Sequence, residues 1–439
     1  MFENSAAIKN TLRALKSRNY RLFFGGQGIS LIGTWMQQIA LGWFVYRLTD
    51  SPFLLGVVSF SAQVPTFIFA TFAGVFADKY DKHKIIIATQ TLAMIQASVL
   101  AILTLTNVVQ IWHLIILAIF SGLINAFDMP TRQSFVIDLV ENKTDLPNAI
   151  ALNSSMFNAA RLIGPTVAGV IISAFGEGIC FLINAVSYIA VIGALLLMKF
   201  EKKAIQKTSK KIFNEIKEGF SYAYNFIPIR TLLLLIATLS LLGMPYTVLM
   251  PVFAKDILHG NASTLGLLFG AIGVGAFIGA IYLASRKTVL GLGKIIVIAT
   301  TVFSIGLIMF SQSKIIYISL PLMIFTGWGM MTQMASSNTL LQTIVDEDKR
   351  GRIMSLYVMA FMGTAPLGSL LAGSLAKAFG AQNTILFFGI ISLLTAFWFY
   401  KQLPLVRKHT KPIYIKLGII PEVSTGLQSA THLNIPPNK

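Results

Sequence analysis

The chain has 439 residues, 55% hydrophobic and only 12% charged, with a formal charge of +18 and a mean hydropathy of +0.72. A soluble domain carries about 25% charged residues, so a water-exposed globular surface is excluded. One cysteine, Cys180, excludes an internal disulfide.

In chain order, residues 1–21 are basic and polar (Lys9, Arg13, Lys16, Arg18, Arg21). They lack the short apolar core and cleavage site of a signal peptide, so none is expected. A helix needs about 20 mostly apolar residues to cross the hydrocarbon core. Twelve segments approach or meet that length: 22–46, 53–77, 85–105, 111–134, 148–173, 179–198, 230–253, 264–284, 294–312, 316–340, 353–376 and 384–400. They show no period-2 alternation, which excludes a barrel and leaves helices. The expected fold class is an all-α membrane protein with twelve transmembrane helices.

Orientation follows from the basic residues. With the N-terminus inside, 30 of the 35 Lys and Arg fall in inner segments. Arg47, Lys255, Lys314 and Lys377 fall outside, and Arg161 lies within a span. Both termini are therefore expected in the cytoplasm. The positive charge is a topology signal facing anionic lipid, and nucleic acid is not an expected partner. The expected units are a six-helix half over 1–198, a linker over 199–229, a second half over 230–403 and a disordered tail over 404–439. Within the linker, Ile212, Ile216, Phe220 and Ala223 recur at helical spacing, as in an interfacial amphipathic helix.

The chain repeats itself. A shift of 204 residues brings Leu152 onto Leu356, Gly164 onto Gly368, Ala168-Gly169 onto Ala372-Gly373, and Ala174-Phe175-Gly176 onto Ala378-Phe379-Gly380. A shift of 205 brings Phe120 onto Phe325, Gly122 onto Gly327 and Val140 onto Val345. Two halves related by an axis along the membrane normal are a known transporter plan, with the substrate between them near the midplane. The charges do not repeat: Asp128 meets Gln333, Arg132 meets Ser337, Asn158 meets Met362 and Arg161 meets Ala365.

Gly74 to Lys84 reads GVFADKYDKHK, at the inner end of the second span. This resembles the signature loop of the major facilitator superfamily, with Gly74, Asp78, Lys79, Lys82 and Lys84 on pattern and Asp81 in place of a glycine. That departure resembles the drug- and siderophore-exporter branch containing the enterobactin exporter and macrolide efflux pumps. Strings over 35–52, 128–140, 146–169 and 250–266 agree, and the resemblance covers roughly residues 15–400. It implies the major facilitator fold of two pseudo-symmetric six-helix halves. Asp78 is expected to cap the positive N-terminus of the eleventh span near Gly351. Lys79 or Lys82 is expected to pair with Asp138, together latching the halves on the cytoplasmic side. The alternative is that these lysines are topology markers only. Gly164, Pro165 and Gly169 resemble an exporter motif of the fifth span, with Ala168 replacing a glycine; close helix packing explains them equally well.

A charge at the centre of a span costs about 2.5–3.5 kcal/mol on insertion scales and usually faces a partner or a watery cavity. At 1.5 Å per residue, Asp128 lies about 16 Å and Arg161 about 21 Å from the inner face. The expectation is an Asp128–Arg161 pair, with Arg132 and Asn158 nearby, whose protonation couples protons to conformation. The alternative is a static pair that fixes helix packing. The family implies that the first, fourth, seventh and tenth spans line the cavity, which nominates Gln37, Gln38, Asn125, Tyr246, Gln333 and Asn338; Asn158 of the fifth span, beside the charged pair, is expected to face the same cavity. An apolar, Met-rich wall with few polar groups suits bulky amphipathic molecules.

The five histidines lack ligand spacing, so no metal is expected; no cofactor or enzymatic site is expected either. The reading is a monomeric exporter of the bacterial inner membrane. It moves a small amphipathic molecule, drug or siderophore in class, by proton antiport and alternating access. An uptake transporter and a non-transporting sensor on the same fold are the alternatives; intramembrane charges argue against the sensor.

Overall fold

The computed structural model describes residues 12–200, 220–286, 288–347 and 349–420, apart from the side chains at 70, 71, 75 and 78. Twelve long helices account for nearly all of these residues. They are α1 (Arg18–Thr49), α2 (Pro52–Lys79), α3 (Lys82–Leu105), α4 (Ile111–Leu139), α5 (Leu146–Phe175) and α6 (Glu177–Leu196). They continue with α7 (Ile227–Ile257), α8 (Ala262–Ala284), α9 (Leu292–Gln312), α10 (Ile316–Ile344), α11 (Arg350–Phe379) and α12 (Ala381–Lys416). Ten are both long and apolar enough to cross a membrane. The two that fall short are α1 and α10. Their runs of Gly, Gln, Ser and Thr (Gly25–Gly28, Gln37, Gln38; Thr332, Gln333, Ser336, Ser337) dilute the apolar character.

The repeat survives in three dimensions. Helix α4 plus 205 residues has the bounds of α10, and α5 plus 204 has the bounds of α11. Gly122 lets α4 lie on the Ala62 carbonyl of α2, and Gly327 lets α10 lie on the Ile272 carbonyl of α8. Gly164 packs on Trp35 and Ile32 of α1, as Gly368 packs on Leu241 and Pro245 of α7. The turns after α5 and α11 are made by Gly176 (φ +82°) and Gly380 (φ +85°), in a backbone region that L side chains rarely adopt.

Where the halves differ, proline explains it. Helix α7 runs as α over Ile227–Thr238, widens to π over Leu239–Gly243, tightens to 3-10 over Met244–Leu249, and widens again over Phe253–Ile257. Pro245 and Pro251 each remove a backbone donor there. Helix α11 breaks at Gly363–Thr364, between Arg350–Met362 and Ala365–Phe379, because the ring of Pro366 crowds the carbonyl four residues earlier. Hydrogen bonds repair both sites. The Ser240 hydroxyl donates to the Phe361 carbonyl, and the Thr364 hydroxyl to the Ala237 carbonyl at 3.3 Å.

The expected disordered tail over 404–439 is ordered in its first part, and residues 421–439 lie outside the described residues. Helix α12 continues through Pro404 and Pro412 to Lys416, burying Leu403, Val406, Thr410 and Tyr414. Most of the linker, residues 201–219, lies outside the described residues. The expected amphipathic helix therefore does too, except for 220–225, which is helical.

The halves approach most closely through two symmetric contacts. In one, α5 meets α8 from Ser173–Ser263 to Leu162–Gly273; in the other, α2 meets α11 from Pro52–Gly373 to Phe67–Gly363. Both lie towards one end of the bundle, remote from the α2–α3 turn. Towards the other end, which carries Lys79, Lys82 and Lys143 and is called here the basic end, the helices diverge. There Gly74 of α2 and Gly351 of α11 face open space where a Cβ would stand. Phe72, Phe76, Val358 and Met359 are exposed.

Candidate functional site

The three intramembrane charges fall into two separate places. Asp128 is 3% exposed and turns towards α3. Its Oδ1 accepts from the Thr89 hydroxyl at 2.9 Å and from Gln90 Nε2 at 2.8 Å. Its Oδ2 pairs with Arg132 Nη2 at 3.2 Å, one helical turn along α4. A buried carboxylate with three donors is well satisfied, and the arrangement carries no net charge.

Arg161 is elsewhere. Its guanidinium carbon sits 5.8 Å from the centroid of Trp35 on α1. That ring meets Phe157 edge-on at 5.7 Å. Among the described residues Arg161 makes no ion pair. The expected Asp128–Arg161 pair is therefore not formed. The two residues are at similar depth, but α4 and α5 are neighbours in sequence rather than packing partners. Helix α4 lies on α2 and α3, whereas α5 lies on α1 and α8. Depth alone did not specify the facing.

The polar candidates also divide. Gln37 points into its own half, donating to Gln96 at 2.9 Å and accepting from Asn184 at 2.7 Å, so it does not line a cavity. Asn158 donates to the Ser154 carbonyl at 2.9 Å, and Asn338 accepts from Gln342 at 3.1 Å. Gln38 and Asn125 are exposed and have no hydrogen-bond partner among the described residues. Tyr246 is 0% exposed, and its hydroxyl has no partner among the described residues. Gln333 donates to the Ser337 hydroxyl at 3.1 Å. It borders a small recess with Ser240, Met244, Met330, Met334 and Phe361, at the α7 and α11 irregularities.

At the basic end, Lys82 Nζ lies 3.2 Å from Asp138 Oδ2. Both belong to the first half, so this pair ties the α2–α3 turn to α4 and does not bridge the halves as expected. Lys79 is exposed and makes no ion pair among the described residues. The Asp78 side chain lies outside them. The exporter-motif residues pack tightly: a Cβ on Gly164 would stand 2.5 Å from that of Trp35, and one on Gly169 would stand 2.8 Å from the Ala262 carbonyl. Pro165 is buried within an unbroken α5.

Sequence reasoning missed a polar clasp at the opposite end. Lys255 of α7 pairs with Asp50 at the α1–α2 turn, and the Tyr46 hydroxyl of α1 donates to Asp256. Beside them, Arg47 makes a two-point contact to Glu177 at 2.7 and 3.0 Å, holding α1 to α6. The signal was present. Arg47 and Lys255 are two of the four basic residues that the charge count assigns to the outer side, and each is followed closely by an acid, Asp50 and Asp256.

The profile of a family described as transmembrane secretion effector matches residues 9–413. The chain is 28% identical over 390 residues to the staphyloferrin A transporter of Staphylococcus aureus, covering 87% of this chain and 95% of that one. It is 22% identical to macrolide efflux protein A of Streptococcus pyogenes, covering 87% and 96%. It is 23% identical to the multidrug efflux pump Tap of Mycolicibacterium fortuitum, covering 84% and 90%. Among solved structures, a bacterial homolog to the human lysosomal transporter Spinster superposes with TM-score 0.70 at 13% identity, over 90% of this chain and 98% of that one. A POT family transporter in complex with 5-aminolevulinic acid gives 0.72 at 11%, over 89% and 97%. Helix bounds, the internal repeat and this full-length match agree that the chain is a multi-pass membrane transporter of the major facilitator superfamily and belongs to its transmembrane secretion effector family.

Proposed function

We propose that the chain is a secondary exporter that moves a small molecule from the cytoplasm outward by alternating access. One observation carries this reading: the two symmetric inter-half contacts, α5–α8 and α2–α11, lie towards the end remote from the basic loops. If the positive-inside rule sets the orientation, the termini are cytoplasmic and the cleft opens to the cytoplasm, the side from which an exporter loads. The halves over 1–198 and 230–403 rock about the cleft, with 199–229 as their tether. The clasp of Asp50, Lys255, Tyr46 and Asp256 opens on the outward stroke, while Asp78, Lys79 and the Lys82–Asp138 pair meet the second half at the inner end.

Proton exchange is assigned to Asp128. A proton on its carboxylate cancels the charge that holds Arg132, and loss of that attraction alters how α4 sits on α3. The relatives' names include both a siderophore transporter and drug efflux pumps, and either cargo class is compatible with this scheme. The site needs no cofactor, and a monomer contains both halves. The deciding experiment measures cellular accumulation of dyes, macrolides and labelled siderophores with and without the gene, and with and without a proton uncoupler. Higher accumulation on deletion, mimicked by the uncoupler, supports proton-driven export. Lower accumulation on deletion establishes uptake instead, and no change for any compound ends the transport reading for these cargo classes.

A further inference from the structure

The internal repeat predicts where the last helix stops. Adding 204 to α6 (Glu177–Leu196) gives Ala381–Tyr400, yet α12 runs on to Lys416. No charge falls between Ala381 and Tyr400, a rise of about 30 Å that matches the hydrocarbon core. This part closes with Phe397, Trp398 and Tyr400, aromatic residues of the kind that settle at headgroup level. The turns from Lys401 to Lys416 therefore stand outside the hydrocarbon, and the first half folds without their counterpart.

The extension has two faces. Leu403, Val406, Thr410 and Tyr414 are buried at the spacing of a helical stripe. Leu403 meets the start of α9, where a Cβ on Gly293 would stand 2.6 Å from its Cδ1. His409 meets the ring of Phe226 edge-on at 6.4 Å. The opposite face carries Lys401, Lys408 and Lys411, with Arg407 at its edge; all four are exposed. None forms an ion pair among the described residues, and the sequence has no Asp or Glu from Lys349 to Pro421. Lys401 turns back towards the span, its Nζ 4.8 Å from the centroid of Phe397. A topology signal needs cations in a loop of any shape, whereas a docked helix holds these in one row.

Their distance from the core is limited. Arg407 and Lys408 lie about 10–12 Å past Tyr400 along the axis, and Lys411 about 16 Å. The headgroup layer extends about 5–8 Å beyond the core, its potential decays over about 8–10 Å, and the long stems of Lys and Arg shorten the gap. Lys416, about 24 Å out, falls beyond that reach.

We propose that Lys401, Arg407, Lys408 and Lys411 bind the headgroups of anionic phospholipids, making the end of α12 a membrane-surface contact. Its buried face ties that contact to the start of α9 and to the turn before α7. The occupant is lipid rather than a soluble polyanion, because the row begins at the aromatic belt and continues a spanning helix, which keeps it at the bilayer surface. The inference depends neither on the cargo nor on the direction of transport.

The test uses the full chain in nanodiscs with a fluorophore on Leu405→Cys, an exposed position beside the row; the native Cys180 is buried. Quenching by spin-labelled phosphatidylglycerol is compared with quenching by spin-labelled phosphatidylcholine, each at trace level in a phosphatidylcholine bilayer. The anionic lipid is expected to be preferred several-fold, less so as salt is raised. Each cation is expected to contribute up to about fivefold. Lys408→Gln thus weakens the preference, Lys416→Gln leaves it unchanged, and replacing all four cations by Gln abolishes it. Exchanging Lys for Arg and Arg for Lys at the four positions retains the charge and is expected to retain the preference, which separates lost charge from misfolding. No preference in the wild type, a preference surviving in the neutral variant, or its loss in the charge-retaining variant overturns the proposal. An equal loss in Lys416→Gln and Lys408→Gln overturns it too. Displacement of the label from lipid by polyglutamate at physiological salt would assign the face to an acidic protein and would also overturn it.

Discussion

A Cβ placed on Gly169 would stand 3.0 Å from the Cα of Gly266, and a Cβ on Gly266 would stand 3.0 Å from the Cα of Gly169. The same reciprocal approach joins Gly56 and Gly373 at the symmetric contact. Helices this close are held by dispersion between backbones, which a side chain would wedge apart. Gly169→Leu is therefore expected to destabilise the closed end remote from the basic loops while leaving each half intact. Its expected signature is loss of transport, with faster labelling of a cysteine introduced at Ser263. Unchanged labelling would show that the α5–α8 contact is not a gate. The exporter motif acquires a physical role here: Gly164 packs α5 on α1 within its own half, whereas Gly169 packs it across the halves.

The clasp above that contact is expected to be weaker. Lys255 and Asp50 are both solvent-accessible, and exposed pairs are worth about 0.2–1 kcal/mol. Lys255→Gln is expected to shift the inward–outward balance by no more than about fivefold and to leave the unfolding temperature unchanged. Distance distributions between spin labels on the α1–α2 and α7–α8 turns measure that balance. A complete shift to the outward-open state would mean that the clasp, rather than the glycine contacts, closes this end.

Much of the fold was legible because its determinants are one-dimensional. Span length and the 204-residue echo each survive without knowledge of packing, and the echo predicts the bounds of α10 and α11 from α4 and α5. The site was less legible because it depends on the angle around each helix axis. Asp128 and Arg161 share a depth but not a face, and Gln37 sits on a cavity-lining helix yet points at Gln96 and Asn184. The second half hid its irregularity differently. Pro366 was visible in the sequence, but the break it causes at Gly363–Thr364 matters because Ser240 and Thr364 bridge α7 to α11.

That bridge makes the broken segment a candidate bend point. Pro366→Ala restores a backbone donor and removes the ring clash, so α11 is expected to straighten across Gly363–Thr364. A straighter α11 pulls Phe361 away from Ser240 and closes the recess beside Gln333. Turnover is expected to fall several-fold with little change in stability, read as initial flux against the amount of folded protein. Unaltered flux would assign the break to packing alone.

The Asp128–Arg132 pair supports the sharpest test of proton coupling, because coupling and packing move different observables. Asp128→Asn keeps the shape of the side chain and its contacts with Thr89 and Gln90, but leaves Arg132 without a counter-charge. Breaking a buried pair on one side typically costs about 3–5 kcal/mol, so a drop in stability is expected for either role. Arg132→Gln strands Asp128 in the same way. The double variant Asp128→Asn with Arg132→Gln removes both charges and is expected to recover much of the lost stability, as a double-mutant cycle on contacting residues would measure. If Asp128 carries the proton, this stable double variant still exchanges cargo between the two faces but no longer concentrates it against a gradient when a pH difference is imposed. If the pair only anchors α4 to α3, the double variant pumps at close to the wild-type rate, and the coupling acid must be sought elsewhere. Counterflow and pH-driven flux on the same proteoliposomes separate the two outcomes, since counterflow needs alternating access alone.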